Sequence, residues 1–239
     1  MEFLSRIDGR SGEAALAEMT ATAGPLLDPA AVPEDRIAPR VGTVPDLLVD
    51  LWRAYGVGGL HDGGLWLARP GALDPIAAAI FGGDPDLDGT VIVAWAAMGN
   101  LLCWSPRHGP VLVVPAFGAV QAPGLTGGPR PPADADLLHH LAEIHPFFFD
   151  RTDDADEPML ERARARLRPL RYGEVYAVRP VQALGGPQGI EQVGIEPVDE
   201  YLIDVVAGVR FQLQDYENGR YNIRFVGARA GEPRPRVRP

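Results

Sequence analysis

Three histidines near one predicted helix raise the question of a metal site. His139, His140 and His145 lie close to Glu143 in the segment HHLAEIH. A zinc-binding helix presents two ligands four residues apart on one face, as in the motif HExxH, and the histidines lack this spacing. His139 and Glu143 are four residues apart, but the pattern supplies no further ligands. We therefore interpret the segment as a partly exposed helix face, and we predict no metal and no cofactor.

The single cysteine, Cys103, lies in an apolar strand candidate five residues before His108. Such a pair suggests a thiolate nucleophile activated by a base. No neighbouring residue in the sequence is placed to lower the thiol pKa, and free cysteines are commonly buried. We predict a buried apolar side chain and no catalytic residue here. One cysteine also excludes an intramolecular disulfide.

The segment GVGGLHDGG at 56–64 is rich in glycine. It follows a predicted helix and precedes a predicted strand, which is the reverse of the order in a phosphate-binding loop, and it lacks the GK[ST] ending. Tight turns explain the glycines. His61 and Asp62 lie at the tip and allow three interpretations: an acid/base pair, two solvated residues, or a recognition loop for a protein or ligand.

Two acidic clusters follow. The first, GGDPDLDG, has the alternating aspartates of a calcium loop, but the twelfth position holds no glutamate and already lies in an apolar strand, so calcium is not predicted. Acids near a helix N-terminus explain part of the second cluster, DRTDDADEP. The remainder is a solvated edge available to the arginines or lysines of a partner. The clusters comprise Asp84, Asp86 and Asp88, and then Asp150, Asp153, Asp154, Asp156 and Glu157.

The charge of the chain is acidic and uneven. The 239 residues carry −10, whereas residues 224–239 hold five arginines and one glutamate, so residues 1–223 carry −14. A body this acidic repels phosphate backbones and steers basic partners toward it, which predicts a protein partner and no direct nucleic-acid binding. No apolar run approaches the roughly 20 residues of a membrane helix, and the charged start MEFLSRIDGRSGE lacks a signal peptide's apolar stretch. These features predict a cytoplasmic protein with no membrane association.

Periodic apolar residues predict a mixture of helices and strands. Ser11, Thr43, Asp134 and Asp156 are the candidate N-caps of four helices. The predicted helices cover 12–21, 45–55, 73–81, 134–144, 156–167 and 197–214, and the predicted strands cover 65–68, 90–96, 100–104, 111–115 and 172–178.

This order lacks regular βαβ alternation and predicts an α+β fold, with antiparallel strands flanked by helices in two small mixed modules that form one compact unit. We divide the chain into an N-terminal extension at 1–34, a first module at 35–92, a second module at 93–215, and a basic tail rich in proline and arginine at 216–239.

Two segments carry a family resemblance. Residues 37–76, with LWRAYGVGGLHDGGLWLARP at 51–70, resemble a GAD-like domain. Residues 96–114 and 160–193, with RARLRPL, GEVYAV and ALGG, resemble the small α+β domain that accompanies it. The resemblance covers most of residues 35–210 and leaves out residues 1–34 and the basic tail.

The pair of modules is similar to immunity proteins that neutralise nuclease toxins delivered by type VI secretion. The resemblance implies a binding protein rather than an enzyme, with a basic DNase domain as its partner, and no catalytic residues come with the family. The acidic charge has the sign that such a partner requires. A small-ligand-binding module, or a regulatory module for another protein, remains the alternative.

Overall fold

The computed structural model describes residues 12–127 and 132–229. Within them, nine strands form one sheet in the order β1-β2-β3-β4-β5-β6-β7-β10-β11, and a hairpin of β8 and β9 stands apart. Every neighbouring pair is antiparallel except β7 and β10. The strands are β1 (Leu27–Ala30), β2 (Val57–Leu60), β3 (Leu65–Leu67), β4 (Val91–Ala96), β5 (Leu101–Ser105), β6 (Gly109–Val114), β7 (Ala119–Gln121), β8 (Glu174–Val178), β9 (Val193–Pro197), β10 (Gln212–Asp215) and β11 (Arg220–Phe225).

The helices flank this sheet. α1, α3 and α6 pack against one another, and α6 also covers β6, whereas α4 and α8 contact each other and lie against β4 and the β8–β9 hairpin respectively. Mixed helices and mainly antiparallel strands confirm the predicted α+β class. The helices are α1 (Gly12–Ala23), α2 (Glu34–Ile37), α3 (Asp46–Ala54), α4 (Asp74–Phe81), α5 (Pro123–Thr126), α6 (Ala133–Ala142), α7 (Leu160–Arg166) and α8 (Val198–Gly208).

The predicted meander is present as β4, β5 and β6. Nearly all of its residues are buried, because helices cover the strands and both faces carry apolar side chains. Cys103 pairs with Ile92 on one side and Val111 on the other. Burial raises the pKa of its thiol far above the usual range, so the side chain is the buried apolar group that the sequence predicts.

The caps differ from the sequence predictions. Thr43 does not cap α3; its hydroxyl donates to the Arg40 carbonyl. The cap of α3 comes instead from Asp134, whose Oδ1 accepts a hydrogen bond from the Leu47 N–H at 3.0 Å. The sequence predicts that Asp134 caps its own helix, α6, but that helix begins one residue earlier. The Ser11 cap predicted for α1 lies outside the described residues.

The last predicted helix is too long. Apolar residues at helical spacing continue to Leu213, but α8 ends at Gly208 and Val209 is extended. Leu213 then lies in β10, which pairs in parallel with β7. A buried strand pairing satisfies the backbone of this short segment in place of further helix.

The sheet runs through both predicted modules. The boundary assigned after residue 92 lies inside β4, and β11 lies inside the segment assigned to the tail. Residues 230–239 of that tail are outside the described part of the chain. None of the described helices is long and apolar enough to cross a membrane.

Candidate partner-binding surface

Arg164 joins two segments that are about a hundred residues apart in sequence. Its guanidinium donates to the backbone oxygen of Asp62 and lies 3.4 Å from the Asp62 carboxylate. The same guanidinium pairs with Glu161 at 2.7 Å, one turn earlier in α7. The tip of the glycine-rich segment and the helix that follows the second acidic cluster are therefore neighbours on one surface.

His61 anchors this tip to the second half of the chain. Its Nε2 donates to the Leu141 carbonyl at 2.7 Å, and its ring lies 4.8 Å from the ring of Phe149. Both His61 and Asp62 have positive φ, at 51° and 53°. Since the His61 ring is held by α6 and Phe149, it positions the loop, and Asp62 is the exposed member of the pair.

The second acidic cluster forms a loop, residues 150–157, which we call the acidic loop. Asp150 is the first residue of this loop, and its carboxylate has a structural role. Its Oδ1 accepts hydrogen bonds from the N–H groups of Arg151, Met159 and Leu160 at 2.6, 3.0 and 2.7 Å, so it caps α7. The sequence predicts this cap for Asp156, whose carboxylate accepts no such bond from the described residues. Asp156 adopts a positive φ of 64° further along the turn.

Asp153 and Asp154 also hold the loop. Asp153 Oδ1 accepts from the Ala155 and Glu157 N–H groups, and Oδ2 accepts from Arg162 at 2.6 Å. The Arg162 hydrogen bond is the largest cause that keeps the Asp153 pKa below its usual value. Asp154 exchanges two hydrogen bonds with Gln188, one from each backbone N–H. These two carboxylates therefore shape the loop.

Four acidic side chains of this region are exposed: Asp62, Asp156, Glu157 and Glu161. Asp156 and Glu157 are exposed, and within the described residues their carboxylates form no hydrogen bond or ion pair. The side chains of Asp62 and Glu161 are 86% and 77% exposed despite their contacts with Arg164. We call Asp62, Asp156, Glu157 and Glu161 the acidic face.

The first acidic cluster has different neighbours. The Asp84 side chain is fully buried, pairs with Arg224 of β11, and accepts from three backbone N–H groups. Asp86 pairs with the same guanidinium at 2.8 Å, and only Asp88 is exposed. The Asp84 carboxylate therefore holds the fold together and offers nothing to a partner.

A cavity of about 610 Å³ adjoins the acidic loop, and Asp150, Arg151 and Asp156 line it. Its rim carries exposed aromatic rings from three separate elements: Phe117 after β6, Phe147 in the turn before the acidic loop, and Tyr216 after β10. Phe147 is 75% exposed. Large exposed aromatic rings are enriched at protein-binding surfaces, and polar groups commonly surround them at the rim.

Sequence reasoning missed these rings and Glu161. The run HPFFFD did contain a signal, because three consecutive phenylalanines cannot all face the core of a short turn. Phe148 and Phe149 are buried, whereas Phe147 is exposed. Phe117 and Tyr216 had no comparable signal, since they come from turns about a hundred residues apart in sequence and only the fold places both on one cavity.

The histidines of HHLAEIH have separate local partners. His139 contacts Glu143 at 3.1 Å, His140 donates to the Asp136 carbonyl at 2.8 Å, and His145 Nδ1 accepts from the Phe147 N–H. Burial lowers the pKa of His140. Across the described segments, no group of three or more His, Cys, Asp or Glu residues is arranged to hold a metal ion.

Comparison with known proteins supports the fold and part of the sequence resemblance. Residues 14–117 match the model of the GAD-like domain family, a span that begins within the segment assigned to the N-terminal extension and ends in the turn at Phe117. No curated protein matches the sequence. Among solved structures, the chain is similar to the crystal structure of Atu4351 from Agrobacterium tumefaciens, with 23% identity, a TM-score of 0.82, and coverage of 87% of this chain and 96% of that one.

Proposed function

We propose that this protein is a cytoplasmic immunity protein that binds and neutralises a cognate nuclease toxin of a type VI secretion system, and that it acts by binding rather than by catalysis. The acidic face is the observation that carries the proposal. Asp62 and Glu161 come from two distant segments and meet at Arg164. The exposed Asp156 and Glu157 lie in the loop that leads into the same helix, and Asp156 also lines the cavity that carries the exposed aromatic rings. The match to the GAD-like domain family and the acidic body of the chain support the same role.

The physical argument begins with charge. A nuclease domain presents a basic face to the phosphates of DNA, and an acidic surface competes for that face. Opposite charges also steer the two proteins together and raise the association rate, an effect that salt weakens. An acidic inhibitor therefore associates faster with such a basic partner and binds it more selectively.

The exposed aromatic rings of the cavity rim supply binding energy that exposed carboxylates do not. Exposed ion pairs contribute little net affinity, whereas buried aromatic rings dominate the binding energy of many interfaces. Phe147 lines the same cavity as Asp156, and Phe149, two residues further on, packs against His61, the neighbour of Asp62. An exposed ring therefore lies beside part of the acidic face. We infer that Phe147 supplies affinity and that the acidic face supplies orientation.

The test is co-purification with the product of the adjacent gene, followed by a DNA cleavage assay of that product with and without this protein. The key variant is Asp62→Asn/Asp156→Asn/Glu157→Gln, which leaves Asp153 and Asp154 in place because they shape the loop. The matched control is Asp35→Asn/Asp50→Asn/Glu200→Gln, which removes the same three charges from exposed positions elsewhere.

We expect a tight complex in which DNA cleavage is suppressed. The acidic-face variant should bind about tenfold more weakly at low salt and show a flatter dependence on salt, and the control should bind like the native chain. Absence of a complex, or of any nuclease activity in the adjacent gene product, would refute the immunity role. Equal loss in both variants would refute the acidic face as the interface.

A further inference from the structure

The 610 Å³ cavity beside the acidic loop has a negative lining. Asp150, Asp156 and Arg151 are the charged residues among its described lining, so two aspartates and one arginine give a net charge of −1. Arg151 is only 8% exposed, and its Nε and Nη1 are buried, so little of this cation faces the cavity. The lining therefore repels an anion, whereas a single positive charge neutralises it.

Asp156 is the carboxylate available to such a cation. It is exposed, and within the described residues its carboxylate has no hydrogen bond or ion pair. The turn that carries it is held by two backbone hydrogen bonds, from the Asp156 N–H to the Asp153 carbonyl at 2.9 Å and from the Asp153 N–H to the Glu157 carbonyl at 3.0 Å. A β-bridge between Thr152 and Pro158 closes the loop. The carboxylate is therefore in place before a partner binds.

Three aromatic rings on the cavity rim offer faces to a cation. Phe117 is 56% exposed, but the Arg151 guanidinium carbon already lies 5.8 Å from its ring centroid. Phe147 and Tyr216 are 75% and 44% exposed, and in the described part of the chain no arginine lies over either ring. The ring of Tyr216 packs against that of Tyr221 at 5.5 Å, which holds it on the turn between β10 and β11. Tyr216 is therefore the half-buried ring that a new cation can use.

We propose that this cavity binds the side chain of an arginine of the toxin partner, with the guanidinium paired to Asp156 and packed against the ring of Tyr216. A guanidinium is planar and weakly hydrated, stacks on aromatic rings, and binds a carboxylate through paired N–H groups. The ammonium of a lysine is more strongly hydrated and lacks this flat shape. The source of the arginine rests on the proposed function, whereas the selectivity of the cavity for a guanidinium does not.

The cavity makes this contact stronger than an ion pair on an open surface. Exposed pairs contribute little because water and salt screen them, and enclosure reduces that screening. Val114 and Pro146 line the same cavity and supply apolar contacts for the methylene stem of an arginine. Arginine is also among the residues that dominate binding energy when they fill a pocket at an interface. The acidic loop and the aromatic rim thus act on one side chain of the partner.

The first test compares N-acetyl-L-arginine amide with N-acetyl-L-citrulline amide by NMR titration of the purified protein. The probes have the same number of heavy atoms, but a neutral urea replaces the guanidinium in citrulline. We expect the arginine probe to bind about tenfold more tightly, and the preference to decrease at high salt. Asp156→Asn and Tyr216→Leu should each reduce the preference by about threefold or more. Asp35→Asn and Tyr55→Leu are the matched controls, because both residues are exposed and neither lines the cavity.

Asp156→Asn is expected to fold, because asparagine tolerates the positive φ of 64° at this position. The second test therefore uses this variant to locate the partner's arginine. Each arginine of the adjacent gene product is replaced by glutamine, one at a time, and binding to the native chain and to Asp156→Asn is measured. One replacement should weaken the native complex by about tenfold and the Asp156→Asn complex by much less.

Equal binding of the two probes by the native chain would overturn the proposal, and the immunity role would stand if the complex forms. A complex in which none of the partner's arginines is coupled to Asp156 would also overturn it. A preference for the arginine probe without any complex would refute the immunity role and the toxin as the source of the arginine, but it would support the selectivity of the cavity.

Discussion

Both oxygens of the buried Asp84 carboxylate accept hydrogen bonds from the Arg224 guanidinium, from Nη1 at 2.7 Å and from Nη2 at 2.9 Å. The two residues are 140 positions apart, and the pair attaches β11 to the turn that follows α4. Three backbone N–H groups complete the coordination of the carboxylate, from Asp86, Leu87 and Gly227. The last described strand is thereby held to the first half of the chain by a fully satisfied buried charge.

Asp84→Asn should destabilise the protein by about 3 kcal/mol, because it leaves the half-exposed Asp86 as the counter-charge of Arg224 within the described residues. The value lies at the low end for buried pairs, since the Arg224 side chain retains 21% exposure. Urea unfolding measures the change. Asp88→Asn alters an exposed acid in the same segment and should change the free energy of unfolding by less than about 0.5 kcal/mol. Equal stability of the two variants would show that the pair contributes little.

The same carboxylate predicts a dependence on pH. Burial alone raises the pKa of Asp84, but hydrogen bonds from Arg224 and from backbone N–H groups outweigh burial and hold the pKa below its usual value. A lowered folded-state pKa contributes stability that is present above the unfolded value of about 3.9 and is lost as pH falls toward the folded value. The stability difference between the native chain and Asp84→Asn should therefore be constant from about pH 5 to 7 and shrink below about pH 4. A difference that persists unchanged at low pH would contradict this assignment.

Local sequence patterns predicted the presence of helices and strands more accurately than the residues at which they end. The meander and α4 follow from apolar runs bounded by turn residues, and both are present. The caps depended on tertiary contacts: Asp134 caps α3 from 87 residues away, and Asp150 replaces Asp156 at α7. The local sequence does not reveal either of these caps, because a cap needs only a carboxylate placed near the helix end in space.

The sequence likewise predicted some features of the candidate site and not others. The sequence identified Asp62, Asp156 and Glu157 as residues available to a partner, and they lie exposed on the acidic face. It did not distinguish them from Asp84, whose burial depends on an arginine 140 residues later. Arg151 was equally invisible, since an arginine beside aspartates suggests a solvated ion pair, whereas here it is buried against a neutral amide.

Gly56 makes a second stability prediction. It has a φ of +76° between α3 and β2, and a Cβ at this position would lie 2.1 Å from the Ala30 carbonyl oxygen of the adjacent strand. Gly56→Ala should therefore cost clearly more than the roughly 1–2 kcal/mol of a positive φ alone. Gly173→Ala is the matched control, because Gly173 has a φ of +87° but a methyl group there would meet no described atom within 4 Å. If thermal or urea unfolding shows that Gly56→Ala and Gly173→Ala lose similar amounts of stability, the close approach of the Ala30 carbonyl oxygen does not add to the cost at Gly56.

Phe147 provides the sharpest prediction for the proposed interface. The ring is 75% exposed on the turn between His145 and the acidic loop, so its removal should leave the fold intact. If it inserts into the partner, Phe147→Ala should weaken the complex by about thirtyfold, which corresponds to about 2 kcal/mol. Because the ring is uncharged, the loss should fall mainly on the dissociation rate and persist at high salt, unlike the effect of the acidic-face variant. Ile203→Ala removes a half-exposed apolar side chain from α8 and should not affect binding. An unchanged dissociation rate for Phe147→Ala, measured by surface plasmon resonance, would place the interface elsewhere on the protein.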